Sequence, residues 1–236
     1  MFPLKDDNPT TITPVVTWLL IALNVVVFFY QISLGPKGTE LFVYQYGAIP
    51  AVITGQQQLP PRLAVVPPGL SILTSMFLHG GWLHLIGNMW FLWIFGDNVE
   101  DAFGHFKYLV FYFLCGIAAA FTQVLFSAGS RLPMVGASGA IAGVMGAYLI
   151  KYPRSRIVTL VFIFIFFTTI EVPAGLMLAY WFFIQFFSGV GTIGYSHVSQ
   201  GGTAFFAHIG GFIAGMVLVG VLGTRQTYLR RRDVNW

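Results

Sequence analysis

The sequence predicts an all-α integral membrane protein: a six-transmembrane-helix bundle with a first loop that lies on the membrane surface. Composition is the first observation, because 56% of the 236 residues are hydrophobic and only 8% are charged, whereas soluble domains carry about 25% charged residues. The second is a series of apolar runs long enough to cross a bilayer. The third is the uneven distribution of Lys and Arg between the connecting segments.

Five apolar runs are bounded by Gly, Pro or charged residues, and a span requires roughly 17–25 apolar residues. The segment between the first two runs, 33–68, is too long for a turn and too apolar for a disordered chain. We therefore expect a structured loop on the membrane surface there. The runs lie at about 14–32, 71–95, 106–126, 135–150 and 203–222.

The segment 156–187 allows two interpretations, because it is too long for one span and carries Glu171 and Pro173 in its middle. Either it crosses the membrane twice, or 157–170 lies along the inner interface and only 173–187 crosses. The β-branched and aromatic residues before Glu171 favour an extended segment. Pro173 suits the first turn of a helix, which favours a span that starts there.

Charge favours the single crossing. With six spans and a cytoplasmic N-terminus, nine of the twelve basic residues lie inside, as the positive-inside rule requires. Seven spans would place the arginine cluster at 230–232 outside. The sequence thus predicts a short cytoplasmic tail over 1–13, a six-span domain over 14–224 and a basic cytoplasmic tail over 225–236. No cleavable signal peptide is evident, so the first span is expected to remain in the protein.

Polar side chains inside spans are functional candidates, because they are costly in hydrocarbon. A helix rises about 1.5 Å per residue, so distances can be counted from the inner end of each span. By this count Ser138, His208 and His84 each lie about 20 Å from the inner end, toward the outer face. Asn88 shares a helix face with His84 by its i, i+4 spacing. Three spans therefore deliver these four side chains to about one level. A seventh span would move His208 far from Ser138, so the site and the topology depend on each other.

The chemistry available to this set is acyl transfer. A Ser hydroxyl becomes nucleophilic when a neighbouring His takes its proton. The anionic intermediate then needs fixed donors, for which the candidates are the Asn88 amide, the His84 ring N–H and the Ser138 backbone N–H. Acidic residues are absent from this level of the sequence, so we expect a Ser–His dyad formed by Ser138 and His208.

Each of these residues also has a structural interpretation. The small residues around Ser138 also permit close helix packing, as do Gly211 and Gly215. For a Ser alone in a span, packing would be the favoured interpretation. The three polar side chains at the same level favour a catalytic role for Ser138 instead. We expect His79, His105 and His197 to be interfacial and solvated. A metal site is not expected, because ligand motifs such as His-Glu-x-x-His are missing, and no cofactor is implied. The Gly-rich segment 189–202 is expected to be a mobile outer loop that caps the site.

The chain resembles the rhomboid family of intramembrane serine proteases through three motifs that occur in the family's order. They are His79-x4-His84-x3-Asn88, Gly136-Ala-Ser138-Gly, and Ala-His208 followed by two glycines four residues apart. The resemblance covers about 71–220, and the whole chain looks like the six-span bacterial form. It implies that Ser138 is the nucleophile and His208 the base. His84 and Asn88, with the Ser138 amide, would support the oxyanion.

The resemblance also implies partners and a location. The substrates would be transmembrane proteins, cleaved near the outer membrane face through an acyl-enzyme. The other partner is membrane lipid, and nucleic acid is not expected despite the net charge of +4. The location would be the bacterial cytoplasmic (inner) membrane, with both termini cytoplasmic. The alternative functions are a non-catalytic rhomboid-like protein that binds transmembrane helices and a small transporter.

The sequence departs from the family pattern in two places. Many members have Tyr four residues after the catalytic Ser, where its ring stacks on the catalytic His; this chain has Ala142 there. Phe205 or Phe206 is a candidate replacement. The first loop also lacks a Trp-Arg pair found in some members. By resemblance, His79 occupies a position near the mouth of the site, and Glu100 an acidic position at the inner end of the second span.

Overall fold

The structure is a computed structural model that describes residues 2–163, 166–193 and 204–225. Helices form most of it. Their bounds are α1 Val15–Ser33, α2 Gly35–Tyr46, α3 Pro50–Ile53, α4 Pro68–Thr74, α5 Trp82–Phe103, α6 His105–Phe126, α7 Ser138–Lys151, α8 Ala174–Ile193 and α9 Phe205–Leu222. A short 3-10 turn, Ser75–Phe77, follows α4.

The helical membrane bundle is confirmed. Within the described ranges, four helices are long and apolar enough to cross a bilayer, namely α1, α6, α8 and α9. The pair Pro68–Phe77 and Trp82–Phe103 adds a fifth crossing if it counts as one broken span. Helix α7 is apolar but has only 14 residues. Each of the five predicted apolar runs, and the segment 173–187, therefore overlaps at least one helix of the bundle.

The predicted second span, 71–95, is wrong at both ends. The chain bends by 83° between Pro68–Phe77 and Trp82–Phe103, so only α5 runs along the bundle. This helix also continues through Asp97 to Phe103, because the polar residues after Asp97 have partners. The buried Glu100 carboxylate accepts hydrogen bonds from the backbone N–H of Val16 at 2.9 Å and of Thr17 at 2.7 Å. The apparent stop signal is a contact with the start of α1.

The first loop is structured, as the sequence predicts. Helix α2 follows α1 after one residue, and α3 lies just before the turn at Thr54. Ala48 pairs with Met134, with N–H···O distances of 3.1 and 2.7 Å in the two directions. The loop is therefore attached to the segment that leads into α7. Its position on the membrane surface stays a prediction.

A three-stranded antiparallel sheet lies at one end of the bundle. Its strands are β1 Phe2–Asp6, β2 Arg156–Ile163 and β3 Phe166–Pro173, in the order β1-β2-β3. The extended interpretation of 157–170 is thus confirmed, and its β-branched composition suits strands. The pairing of β1, which lies in the predicted cytoplasmic tail 1–13, was not predicted. Phe2 lies opposite Leu160 in this pairing.

The hairpin β2–β3 brings the chain back to the end of α7. Arg156 is the partner of Pro173 across the pair, and the Gly175 N–H donates to the Pro153 carbonyl at 2.9 Å. Helix α8 therefore begins beside the end of α7. In the described part of the chain, α8 is the one helix between this hairpin and α9.

Helices α7 and α9 are parallel and closely packed. A Cβ added to Gly211 would lie 2.0 Å from the Gly139 carbonyl oxygen, and one at Gly215 would lie 1.9 Å from that of Gly143. Since the two contacts advance along both helices in the same direction, the helices point the same way. A seven-span topology needs these two helices antiparallel, so that alternative is wrong. Small residues also place α7 in the interior, where most of its side chains are buried.

Basic residues gather where α7 ends, which we call the basic end. The Lys107 ammonium donates to the Leu222 carbonyl at 3.2 Å, and that of Lys151 donates to the Thr224 hydroxyl at 2.8 Å. The Arg225 N–H donates to the Ala102 carbonyl at 2.6 Å. Positive charge at helix C-termini is favourable. Ser138 lies at the opposite end of α7.

Candidate active site

Helix α7 begins at Ser138, at the end of a fixed turn. The Gly136 N–H donates to the Ser75 carbonyl at 2.9 Å. Gly136 has φ of 121°, a conformation that side chains disfavour. Because the first N–H groups of a helix have no intrahelical acceptor, the Ser138 amide is available to a bound group. The turn thus presents a hydroxyl and an N–H together.

His208 contacts this hydroxyl. Its Nε2 lies 2.8 Å from Ser138 Oγ, a normal hydrogen-bond length. His208 is only 9% exposed and lies in the first turn of α9. The parallel packing of α7 and α9 brings the two side chains together near the ends at which both helices begin.

Helix α8 holds the other side of the His208 ring. Gln185 Oε1 lies 2.7 Å from His208 Nδ1. The Trp181 ring, one turn earlier, lies with its centroid 5.8 Å from that of the imidazole. Trp181 also packs against Phe212 at 5.9 Å. Three helices therefore meet at the imidazole.

His84 and Asn88 project from α5 toward the same turn. A Cβ added to Gly136 would lie 2.7 Å from His84 Nε2 and 3.5 Å from Asn88 Nδ2. The Gly80 N–H donates to His84 Nδ1 at 3.3 Å, so in the neutral ring the proton is on Nε2. The Asn88 amide nitrogen is buried without a partner in the described part of the chain. Two side-chain donors thus point toward the residues just before Ser138.

A small cavity adjoins the site, with a volume of about 40 Å³. Its walls include Ser138, Gly136, Ser75 and Met76. A cavity needs a volume of roughly 10–15 Å³, measured in the same way, to hold one water molecule. This one has room for a few, directly beside the hydroxyl.

All four predicted site residues therefore converge, whereas His79 differs from expectation. His79, expected to be solvated, is fully buried, and its ring nitrogens have no hydrogen-bond partner among the described residues. Gln31 holds its backbone on both sides, through bonds of 2.7 and 3.2 Å. His105 is half exposed and contacts Glu100 at 2.6 Å. His197 and most of the predicted capping loop lie outside the described residues.

Comparison with known proteins gives the family. A sequence model of the rhomboid domain matches residues 69–225, which include all four convergent side chains. The chain belongs to the rhomboid family. No group of three potential metal ligands occurs in the described ranges of this rhomboid protein.

Bacterial relatives in the family are named as proteases. The chain is 34% identical over 137 residues to the rhomboid protease GluP of Bacillus subtilis (strain 168), covering 58% of this chain and 24% of that one. It is 32% identical over 155 residues to the rhomboid protease AarA of Providencia stuartii, covering 57% and 51%. A mitochondrial RHOMBOID-like protein 6 of Arabidopsis thaliana is 40% identical over 78 residues, or 33% and 25%. The chain thus spans about half or less of these relatives' lengths.

In this rhomboid, Ala142 takes the place of the usual Tyr, and a different ring lies beside His208. Phe206, one of the two candidate replacements, stacks on Phe126 at 4.1 Å. The ring that contacts the imidazole is Trp181 of α8.

Gln185 was not predicted, although the sequence carries a signal for it. It is an amide in an otherwise apolar span, twelve residues beyond Pro173, or about 18 Å up. The same count that aligned the other four side chains would have placed it at their level.

Proposed function

We propose that this rhomboid is an intramembrane serine endopeptidase that cleaves transmembrane proteins through Ser138 and His208. The observation that carries the proposal is the 2.8 Å contact between His208 Nε2 and Ser138 Oγ, both inside a helical membrane bundle. A partly buried hydroxyl paired with a buried imidazole is an arrangement that generates a serine nucleophile. The protease names of the relatives support the same conclusion.

The proposed reaction proceeds in two halves. His208 takes the proton from Ser138 as the hydroxyl oxygen bonds to the substrate carbonyl carbon. The carbonyl oxygen, now an anion, accepts hydrogen bonds from His84 Nε2–H, the Asn88 amide and the Ser138 N–H. Collapse of this intermediate breaks the C–N bond, and His208 gives its proton to the leaving amine.

Hydrolysis of the acyl-enzyme completes the cycle. Water from the cavity beside Ser138 gives a proton to His208 and bonds to the acyl carbon. The intermediate then releases the carboxylic product, and Ser138 recovers its proton. The cavity supports this step because bulk water is scarce at membrane depth.

Charge supports an orientation for the enzyme. The basic end would face the cytoplasm under the positive-inside rule, with both termini on that side and the bacterial inner membrane as the location. Ser138 lies at the other end of α7, so cleavage would occur near the outer face. A helical substrate must unwind locally, because its backbone carbonyls are otherwise hydrogen-bonded.

The test uses the protein in liposomes with a fluorophosphonate probe and a transmembrane substrate. We expect labelling and cleavage in the wild type, and neither in Ser138→Ala nor in His208→Ala. Ser33→Ala is the matched control, since its exposed hydroxyl bonds only to the Tyr30 carbonyl in the described structure. Cleavage that survives Ser138→Ala would refute the mechanism. Absence of both activities in the wild type would favour a non-catalytic protein that binds transmembrane helices.

A further inference from the structure

The hydrogen bond between Gln185 and His208 specifies a protonation state. A neutral imidazole carries one proton, so one nitrogen donates and the other accepts. If Nε2 is to accept the Ser138 proton, Nδ1 must carry the N–H. Gln185 Oε1, at 2.7 Å, is an acceptor at the position where that N–H points.

The contact also fixes the orientation of the ring. His208 is held at Nδ1 by Gln185 and at Nε2 by Ser138, with distances of 2.7 and 2.8 Å. The Trp181 ring lies beside the imidazole, tilted by 38° with the ring centroids 5.8 Å apart. Rotation of the imidazole would break both hydrogen bonds. The other neutral tautomer would set the Nδ1 lone pair against the Gln185 oxygen and turn an N–H on Nε2 toward Ser138, which could then not give up its proton.

A neutral amide suits the depth of this site. An aspartate or glutamate at Gln185 would have to be desolvated inside a span, which is costly. An amide oxygen accepts the same N–H bond without a charge. It also accepts from the imidazolium that forms when His208 takes the Ser138 proton, and hydrogen bonds to charged groups are stronger than those between neutral groups.

We propose that Gln185 is a positioning residue for catalysis: its amide oxygen accepts the His208 Nδ1–H, holding the ring so that Nε2 faces Ser138. Trp181 supports the ring from the same helix. The proposal rests on the proposed function and adds a third side chain to the dyad. Helix α8 thereby joins the catalytic unit through Gln185 and Trp181, although it carries neither the nucleophile nor the base.

The test compares variants of Gln185 in the full chain in liposomes. Gln185→Met keeps the length and apolar volume of the side chain but removes the acceptor. We expect the rate of fluorophosphonate labelling and kcat to fall roughly 10- to 100-fold, the value of a hydrogen bond to a charged group. KM for the transmembrane substrate should stay within about twofold. Ser188→Ala, which removes a hydroxyl from the same helix, should match the wild type.

Gln185→Glu gives a readout that a packing role would not change. Its carboxylate accepts the same N–H bond and stabilises the imidazolium more than an amide does. We expect it to label faster than Gln185→Met and to move the acidic limb of the pH–rate profile to higher pH. In ¹⁵N NMR spectra of the ring, identified by comparison with His208→Ala, Gln185→Met should lose the single tautomer of the wild type.

The outcomes separate this inference from the proposed function. A labelled wild type with an equally fast Gln185→Met would overturn the positioning role and leave the serine protease mechanism intact. A pH–rate profile and ring spectrum unchanged in both Gln185 variants would do the same. A wild-type protein that the probe never labels would overturn both the positioning role and the serine protease mechanism.

Discussion

The contact between Gly211 and Gly139 predicts that one added methyl group will separate the nucleophile from the base. A Cβ at Gly211 would lie 2.0 Å from the Gly139 carbonyl oxygen, whereas ordinary contact begins at 3.4 Å. The backbones of α7 and α9 must therefore move apart by about 1.4 Å in Gly211→Ala, because neither atom belongs to a flexible side chain. Ser138 and His208 lie on these two helices, close to the contact.

This displacement is large compared with the tolerance of the site. The 2.8 Å contact between Ser138 and His208 would lengthen beyond hydrogen-bond range. A misplacement of about 1 Å costs on the order of 100-fold in rate, so we expect fluorophosphonate labelling and substrate cleavage to fall by at least that factor. Overpacking should also lower the free energy of unfolding by about 1–3 kcal/mol.

The assay measures labelling rate, cleavage and thermal unfolding in the same liposome or micelle preparation. Gly220→Ala is the matched control, because its Cβ would meet nothing within 4 Å on the same helix. We expect it to behave as the wild type. Wild-type rates in Gly211→Ala would refute the reasoning, since the two helices could then separate without disturbing the site.

Two further predictions concern the basic end. Glu100→Gln removes the charge from the buried group that accepts two backbone N–H bonds at the start of α1; we expect a loss of about 2 kcal/mol in the free energy of unfolding, and none for the exposed Glu40→Gln. A loss no larger than that of Glu40→Gln would contradict the capping role. Burial raises the pKa of Asp6 from 3.8 to about 7, against the opposing hydrogen bond from Tyr148. Because the folded state then binds the proton more tightly, stability from this group is full below about pH 4 and is lost as the pH rises through about 7. Asp6→Asn should flatten this slope in unfolding measurements between those values, and an unchanged slope would assign it to another group.

The site was more predictable than its surroundings, and particular residues show why. Ser138, His208 and His84 could be aligned because regular helices convert sequence separation into depth. Asn88 followed from the spacing within one helix. The count for His84 used Asp97 as the end of the helix, although α5 continues six residues further to Phe103.

The features that were not predicted depend on contacts between distant residues. Asp97 resembles a helix stop until Glu100 and its neighbours are seen to bind the start of α1. Nothing local indicates that Phe2 pairs with Leu160. Gln185 was visible as a polar residue in a span, but only the bond to His208 shows its role.

The pairing of β1 with β2 has a consequence for the order in which the protein is assembled. The two strands are separated by more than 150 residues, and a ribosome makes the N-terminal one first. During that interval β1 has no sheet to join, and seven helices, α1 to α7, are synthesised before its partner appears. The sheet is complete only when β2 and β3 have emerged, shortly before α8 and α9 supply Gln185 and His208. The residues of β1 thus reach their final positions late, just ahead of those that complete the proposed catalytic group.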